Sequence, residues 1–113
     1  MQDGLPQTWI AVMDGKPAGM VRLKADDHPD RIDLSPWLGT LFVHPYYRNK
    51  GLGRTLVQTV CGQAREIFGF KSLYLYTPDA ENFYMQMGWR KIGMVRDPLG
   101  ICTEGDTLMQ IDL

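Results

Sequence analysis

Residues 37–69 constrain the fold more than any other stretch, because they read as a buried strand, a glycine-rich turn and one amphipathic helix in direct succession. The run WLGTLFV (37–43) is almost wholly apolar, as expected of a mid-sheet strand covered on both faces, and His44-Pro45 stops it. Leu52, Leu56, Val60, Ala64 and Phe68 then recur at every fourth position, with Gln58, Arg65 and Glu66 on other faces. That spacing lays one apolar stripe along a helix, and Gly69 suits its C-terminal cap.

The flanking segments supply further strands. Residues 8–13 (TWIAVM) and 17–24 (PAGMVRLK) are β-prone runs around Asp14-Gly15, a dipeptide that tolerates the positive φ of a tight hairpin turn. Residues 25–36 are polar and acidic, and Pro29 and Pro36 cannot donate to a ladder, so this long stretch reads as a loop, either functional or merely connecting. SLYLY (72–76) is a strand, after which Thr77-Pro78-Asp79 opens a second helix: Thr77 caps it, Pro78 suits its first turn and Asp79 its positive end. Gly88 stops that helix; WRKIGMV (89–95) is a strand, 96–105 a loop, and 107–113 alternates as a final strand. The order is ββ, β, α, β, α, β, β. A chain of 113 residues that is 44% hydrophobic and 22% charged has the makeup of a single globular domain, residues 1–113.

Charge and cysteine usage exclude several function classes. Twelve Lys+Arg balance thirteen Asp+Glu, so no broad positive field exists for a nucleic-acid backbone, and any anion site must be local. Cys61 and Cys102 form no close pair and no metal-ligand spacing, which points to a reducing, cytoplasmic setting. No apolar run approaches the roughly 18 residues of a membrane span, and the opening residues lack the regions of a secretory leader, so neither is expected. Cys61, Trp9, Met85, Met87 and Trp89 read as packing residues, and Cys102 as a loop residue without a role.

The chemistry concentrates in Arg48-Asn49-Lys50-Gly51-Leu52-Gly53-Arg54, between the buried strand and the helix. A helix start presents unpaired N–H groups and partial positive charge, and glycines let a pyrophosphate approach the backbone without a Cβ in the way. Arg48, Lys50 and Arg54 add charge nearby, although such a turn taken alone is equally an ordinary solvated connection. Two familiar phosphate loops do not fit: a G-x-G-x-x-G would need glycine where Leu56 stands, and a Walker A would need glycine and lysine at Arg48 and Arg54.

The pattern Arg48-x-x-Gly51-x-Gly53, preceded by Leu41-Phe42-Val43-His44-Pro45, resembles the acetyl-CoA-binding motif Q/R-x-x-G-x-G/A of the GNAT superfamily of N-acetyltransferases. Ala80-x-x-x-Tyr84-x-x-x-Gly88-Trp89 resembles that family's A-x-x-x-Y-x-x-x-G-F/W segment, at the expected distance. The resemblance implies an α/β (α+β) acyl-CoA N-acyltransferase fold: a mixed, mostly antiparallel sheet with splayed central strands and flanking helices. It implies acetyl-CoA as co-substrate and no metal. Arg48, Asn49, Lys50, Gly51, Leu52, Gly53 and Arg54 would hold the pyrophosphate. The backbone of Leu41, Phe42 and Val43 would pair with the pantetheine arm as an added strand. Tyr84 would sit near the sulfur as general acid, and a backbone N–H of the splayed strand would face the oxyanion. The implied reaction is transfer of the acetyl group to a primary amine of a small molecule or peptide by direct attack in a ternary complex. The alternative is a catalytically weak CoA-binding module, or part of a larger or dimeric acetyltransferase.

Three departures from the family pattern shape the expectations. Some members carry a glutamate near the start of the central strand, where this chain has Trp37. Asp33 is the nearest upstream carboxylate and the candidate base; His28 has a convenient ordinary pKa of about 6.5; a water chain or an amine arriving neutral would also serve. Asp33 and Trp37 are the candidates for touching the acceptor. Asp26, Asp27, Asp30 and Asp33 either attract a cationic acceptor or form a plain solvated loop, and a metal reading of DDHPD is set aside. Thr77 replaces an asparagine common in the family, so it either bonds pantetheine amides or only caps its helix. Finally, members usually begin with an extra strand and one or two helices, whereas seven residues precede Thr8. A shortened start, or a partner subunit such as a second copy covering the exposed surface, is the expectation.

Overall fold

β1 (Gln7–Met13) and β2 (Lys16–Lys24) form an antiparallel hairpin closed by Asp14 and Gly15, both at positive φ (52° and 75°), as a two-residue turn of this kind requires. The computed structural model describes residues 4–97 and 105–113. β3 (Trp37–Val43), α1 (Leu52–Glu66), β4 (Ser72–Thr77), α2 (Glu81–Met85), β5 (Arg90–Val95) and β6 (Asp106–Asp112) follow. The six strands make one sheet in the order β1-β2-β3-β4-β6-β5, antiparallel throughout except between β3 and β4. The mixed, mostly antiparallel sheet with flanking helices is therefore as expected.

The splay also has a visible cause. Arg22 faces Gly39 but Met20 faces Phe42, so β3 carries one extra residue against β2. Thr40 takes φ 47° inside that bulge, a conformation that costs a β-branched residue strain. A bulge bends its strand, and β3 meets β4 only at Trp37↔Tyr74, supported by Tyr74 N–H donating to Pro36 O at 3.1 Å. Beyond that point the two strands part.

α1 covers one face of the sheet. Leu56, Val57, Val60 and Ala64 pack against Val21, Leu23, Leu38, Leu73, Leu75 and Met109. Gly69, at φ 70°, closes the helix: its N–H donates to Arg65 O at 3.2 Å and that of Phe70 to Ala64 O at 3.0 Å. The other face buries Trp37, Leu108 and Val95 together, with Leu34, Tyr74 and Tyr76 against them. The outer face of the hairpin is bare there, with Ile10 and Val12 each 61% exposed.

Several local expectations need correction. Strand 37–43 is not covered on both faces along its length: Trp37, Leu38 and Gly39 are buried, but Thr40 and Phe42 are exposed, because the bulge carries that half away from β4. The second helix starts at Glu81 rather than Pro78. Thr77 Oγ1 still accepts the Ala80 N–H at 3.0 Å, so it caps a turn that leads into a helix of five residues. An unforeseen 3-10 turn spans Pro45–Tyr47, where His44 Nδ1 accepts the Tyr46 N–H at 3.1 Å. The loop expected over 96–105 lies mostly, and Cys102 wholly, outside the described residues. Among the described residues, no helix is long and apolar enough to cross a membrane.

Candidate functional site

The turn between β3 and α1 is open to solvent, and the amides at its helix end have no acceptor among the described residues. Asn49 (φ 64°) and Gly51 (φ 78°) take left-handed conformations on either side of Lys50, curling the backbone ahead of the helix. The first helical hydrogen bond runs from Thr55 N–H to Gly51 O at 3.1 Å, so the amides of Leu52, Gly53 and Arg54 have no intrahelical acceptor. No side chain caps them, and a Cβ built on Gly51 would meet nothing within 4 Å. Arg48 leans back on β3, donating from Nε to Val43 O at 2.9 Å with its guanidinium carbon 6.0 Å from the Phe42 ring centre. Its terminal nitrogens have no hydrogen-bond partner among the described residues. Leu41, Phe42, Val43, Arg48, Asn49, Gly51, Leu52, Gly53 and Arg54 all line one cavity of about 440 Å³, together with Tyr47 and Phe83.

A second cavity, of about 250 Å³, occupies the gap where β3 and β4 separate. Leu38 to Leu41 form its β3 wall, Leu75 to Thr77 its β4 wall, and Tyr84 and Asp27 complete it. Leu41 lines both cavities, so the open edge of β3 leads from the turn to Tyr84. The Tyr84 ring is wedged edge-on between Phe83 (centroids 5.0 Å apart) and Trp89 (5.8 Å), with 7% of the residue exposed. It is thus both a packed aromatic and a cavity wall. Burial pushes its phenol up to about 12, so it holds its proton across the neutral range and can donate it.

That burial has a consequence at alkaline pH. Tyr84 and Cys61, the latter pushed to about 11 by burial, bind their protons more tightly folded than unfolded. Their contribution to stability is full below about pH 9 and is lost as pH rises through the folded values. Melting temperature measured from pH 8 to 12 is expected to fall steadily above pH 9, with Tyr84→Phe flattening the upper part of the slope. A flat profile would show that neither group is desolvated.

Other sequence candidates are not gathered here. Lys50 does not line the turn cavity; its ammonium lies 5.7 Å and 5.9 Å from the ring centres of Tyr46 and Tyr47, held over their faces. Trp37 is fully buried, with its indole N–H donating to Leu34 O at 2.8 Å, so it has no surface to offer an acceptor. Asp33 lines neither cavity: Arg31 holds both its oxygens at 3.0 Å on the surface and keeps its carboxyl below the usual range. His28 is 2% exposed with both ring nitrogens engaged, Nδ1 accepting the Asp30 N–H at 3.0 Å and Nε2 lying 2.6 Å from Arg96 O. Thr77 is buried at the cavity wall and performs its capping bond there. Asp27, Tyr76 and Gly39 carry no local signal of this placement, since only the fold of the 25–36 loop over β3 brings them together. Phe83 had a weak one, its position next to Tyr84.

A solvent-open turn with free helix-end amides, joined by an open strand edge to a cavity walled by a protonated phenol, defines a class: folds whose sheet opens between two central strands. The chain belongs to the acetyltransferase (GNAT) family, whose model matches residues 2–89. This is the family that the two motifs resemble. No curated protein matches the sequence at a significant level. Among solved structures, an aminoglycoside 6′-N-acetyltransferase complexed with coenzyme A superposes with a TM-score of 0.79 at 16% identity, over 99% of this chain and 75% of that one. A GNAT family acetyltransferase from Elizabethkingia anophelis with acetyl-CoA bound gives 0.78 at 19% identity, over 96% and 76%. The ribosomal-protein-S18-alanine N-acetyltransferase from Escherichia coli gives 0.75 at 20%, over 98% and 71%. At these identities the likeness concerns the fold.

Proposed function

We propose that this chain is an acetyl-CoA-dependent N-acetyltransferase that acetylates a primary amine of a small molecule or peptide, with both substrates bound together. The observation that carries the reading is the continuity of the solvent-open turn, the unpaired edge of β3 and the Tyr84 cavity. The residues fit a CoA thioester: free amides and Arg48 and Arg54 suit its phosphates, and a Cβ-free Gly51 leaves room for them. Two of the structures named above hold coenzyme A or acetyl-CoA and the third is a ribosomal-protein-S18-alanine N-acetyltransferase, which supports the reading.

When bound, the thioester supplies the activated acetyl group. The amides of Leu52, Gly53 and Arg54 would hold the pyrophosphate at the positive end of α1. The open edge of β3 at Leu41, Phe42 and Val43 would bond an extended amide-bearing arm, as strand addition does. The Tyr84 hydroxyl would give its proton to the departing sulfur.

Calorimetric titration with acetyl-CoA should show saturable binding, weakened about tenfold by Arg48→Ala, the usual worth of one charge-assisted bond to phosphate. A screen of polyamines, amino acids, aminoglycosides and peptides for CoA release then identifies the acceptor. Absence of acetyl-CoA binding removes the proposal; binding without turnover of any amine reduces the chain to a CoA-binding module.

A further inference from the structure

We infer that Asp27 takes the proton from the acceptor's ammonium group, and that the acceptor enters over residues 24–32. This rests on the acetyltransferase reading above. A third cavity, of about 220 Å³, is lined by Lys24, Asp26, Asp27, His28, Pro29 and Ile32, and it shares Asp27 with the Tyr84 cavity. The turn cavity reaches Tyr84 from the other side through Leu41. Asp27 therefore stands where a second substrate, arriving from the loop side, would meet the end of the first.

Gly39 makes that position available. A Cβ built on it would lie 3.3 Å from Asp27 Oδ2 and 2.7 Å from Lys24 Cδ, so a side chain there would displace the pair. A strand residue without a side chain lets the loop lay a carboxylate on β3, close to where Trp37 cannot supply one. The Tyr76 hydroxyl reaches the Asp27 carbonyl at 3.5 Å, fixing the loop from β4. The carboxylate already receives a primary ammonium: Lys24 Nζ lies 2.5 Å from Asp27 Oδ1, with only 15% of the Asp27 side chain exposed. An alkylammonium is the same chemical group. What separates Asp27 from the other acids of the loop is position: it lines both cavities, whereas Asp26 lines only the third, and Asp30 and Asp33, held by Arg96 and Arg31, line neither, while both nitrogens of His28 are occupied.

The step balances. R–NH3⁺ gives one proton to Asp27, and the freed lone pair forms the C–N bond to the thioester carbon. The C–S pair leaves on sulfur, which takes the Tyr84 proton, and the second N–H proton of the attacking nitrogen restores the phenol. Asp27 returns its proton to solvent, leaving an amide, a thiol and one H⁺.

The test compares Asp27→Asn with wild type, using the panel amine acetylated fastest and, alongside it, hydroxylamine, which is largely uncharged at pH 8. Expected are a loss of about a hundredfold in kcat/KM for the charged amine and hydroxylamine turnover, above the enzyme-free rate, within about threefold. Calorimetry should show acetyl-CoA affinity unchanged and amine binding to the CoA-loaded protein weakened about tenfold. Gly39→Val, which leaves the carboxylate present but displaced, should also lower amine turnover at least tenfold with acetyl-CoA affinity kept. Full amine turnover in either variant, equal loss with hydroxylamine, or a comparable loss in Asp33→Asn alone would overturn the inference while leaving the acetyltransferase reading intact. No turnover of any panel amine by wild type would remove both.

Discussion

Tyr84→Phe is expected to lower kcat about a thousandfold while leaving acetyl-CoA affinity within about threefold, the signature of a lost proton donor rather than a lost binding contact. The ring would keep its edge-on contacts with Phe83 and Trp89, and the hydroxyl has no hydrogen-bond partner among the described residues, so the fold should not register the change. The phenol, held protonated up to about 12, carries its proton throughout the neutral range, so it enters the step as a donor rather than an acceptor. Turnover, acetyl-CoA titration and melting temperature measured on one preparation decide the matter. Unaltered turnover would assign Tyr84 to packing alone.

Gly51→Val should weaken acetyl-CoA binding more than a hundredfold. Two causes act together: φ 78° is hostile to a β-branched residue, and the added side chain projects into the open space the free amides surround. Gly69→Val separates them. Gly69 shares the positive φ (70°) and the empty surroundings, but it closes the far end of α1. Both variants should lose a similar few degrees of melting temperature, and only Gly51→Val should lose the ligand. Equal affinities in the two variants would show that the turn is not where the ligand's phosphates lie.

The parts of this chain that were legible beforehand are those whose signals are local. The fourfold spacing from Leu52 to Ala64 marked α1, because a helix repeats its buried face at that interval. Asp14-Gly15 marked the hairpin through the positive φ its turn demands. The glycines at 51 and 53 were legible through the strand-to-helix turn in which they lie, whereas Tyr84 stood out only through its resemblance to the family's A-x-x-x-Y-x-x-x-G-F/W segment.

What failed to show depended on distant partners. The exposure of Phe42 follows from one extra residue in β3 against β2, a mismatch of register that neither strand reveals separately. Lys50 counted toward a charge cluster until two tyrosines of the preceding turn held it aside. Asp33 and Asp27 look alike in an acidic loop, and only its path over the sheet ties one to Arg31 and sets the other on Gly39.

By itself, then, the order of residues determined the element sequence, the family motifs and the glycine turn ahead of α1, because hydrophobic period, glycine conformation and helix ends are properties of neighbouring residues. The tertiary structure alone decided how far the two central strands part, which carboxylate lines a cavity with Tyr84 and which cations keep unpaired nitrogens among the described residues. Those outcomes depend on residues that meet across the sheet, and a linear pattern carries no record of which side chains share a cavity.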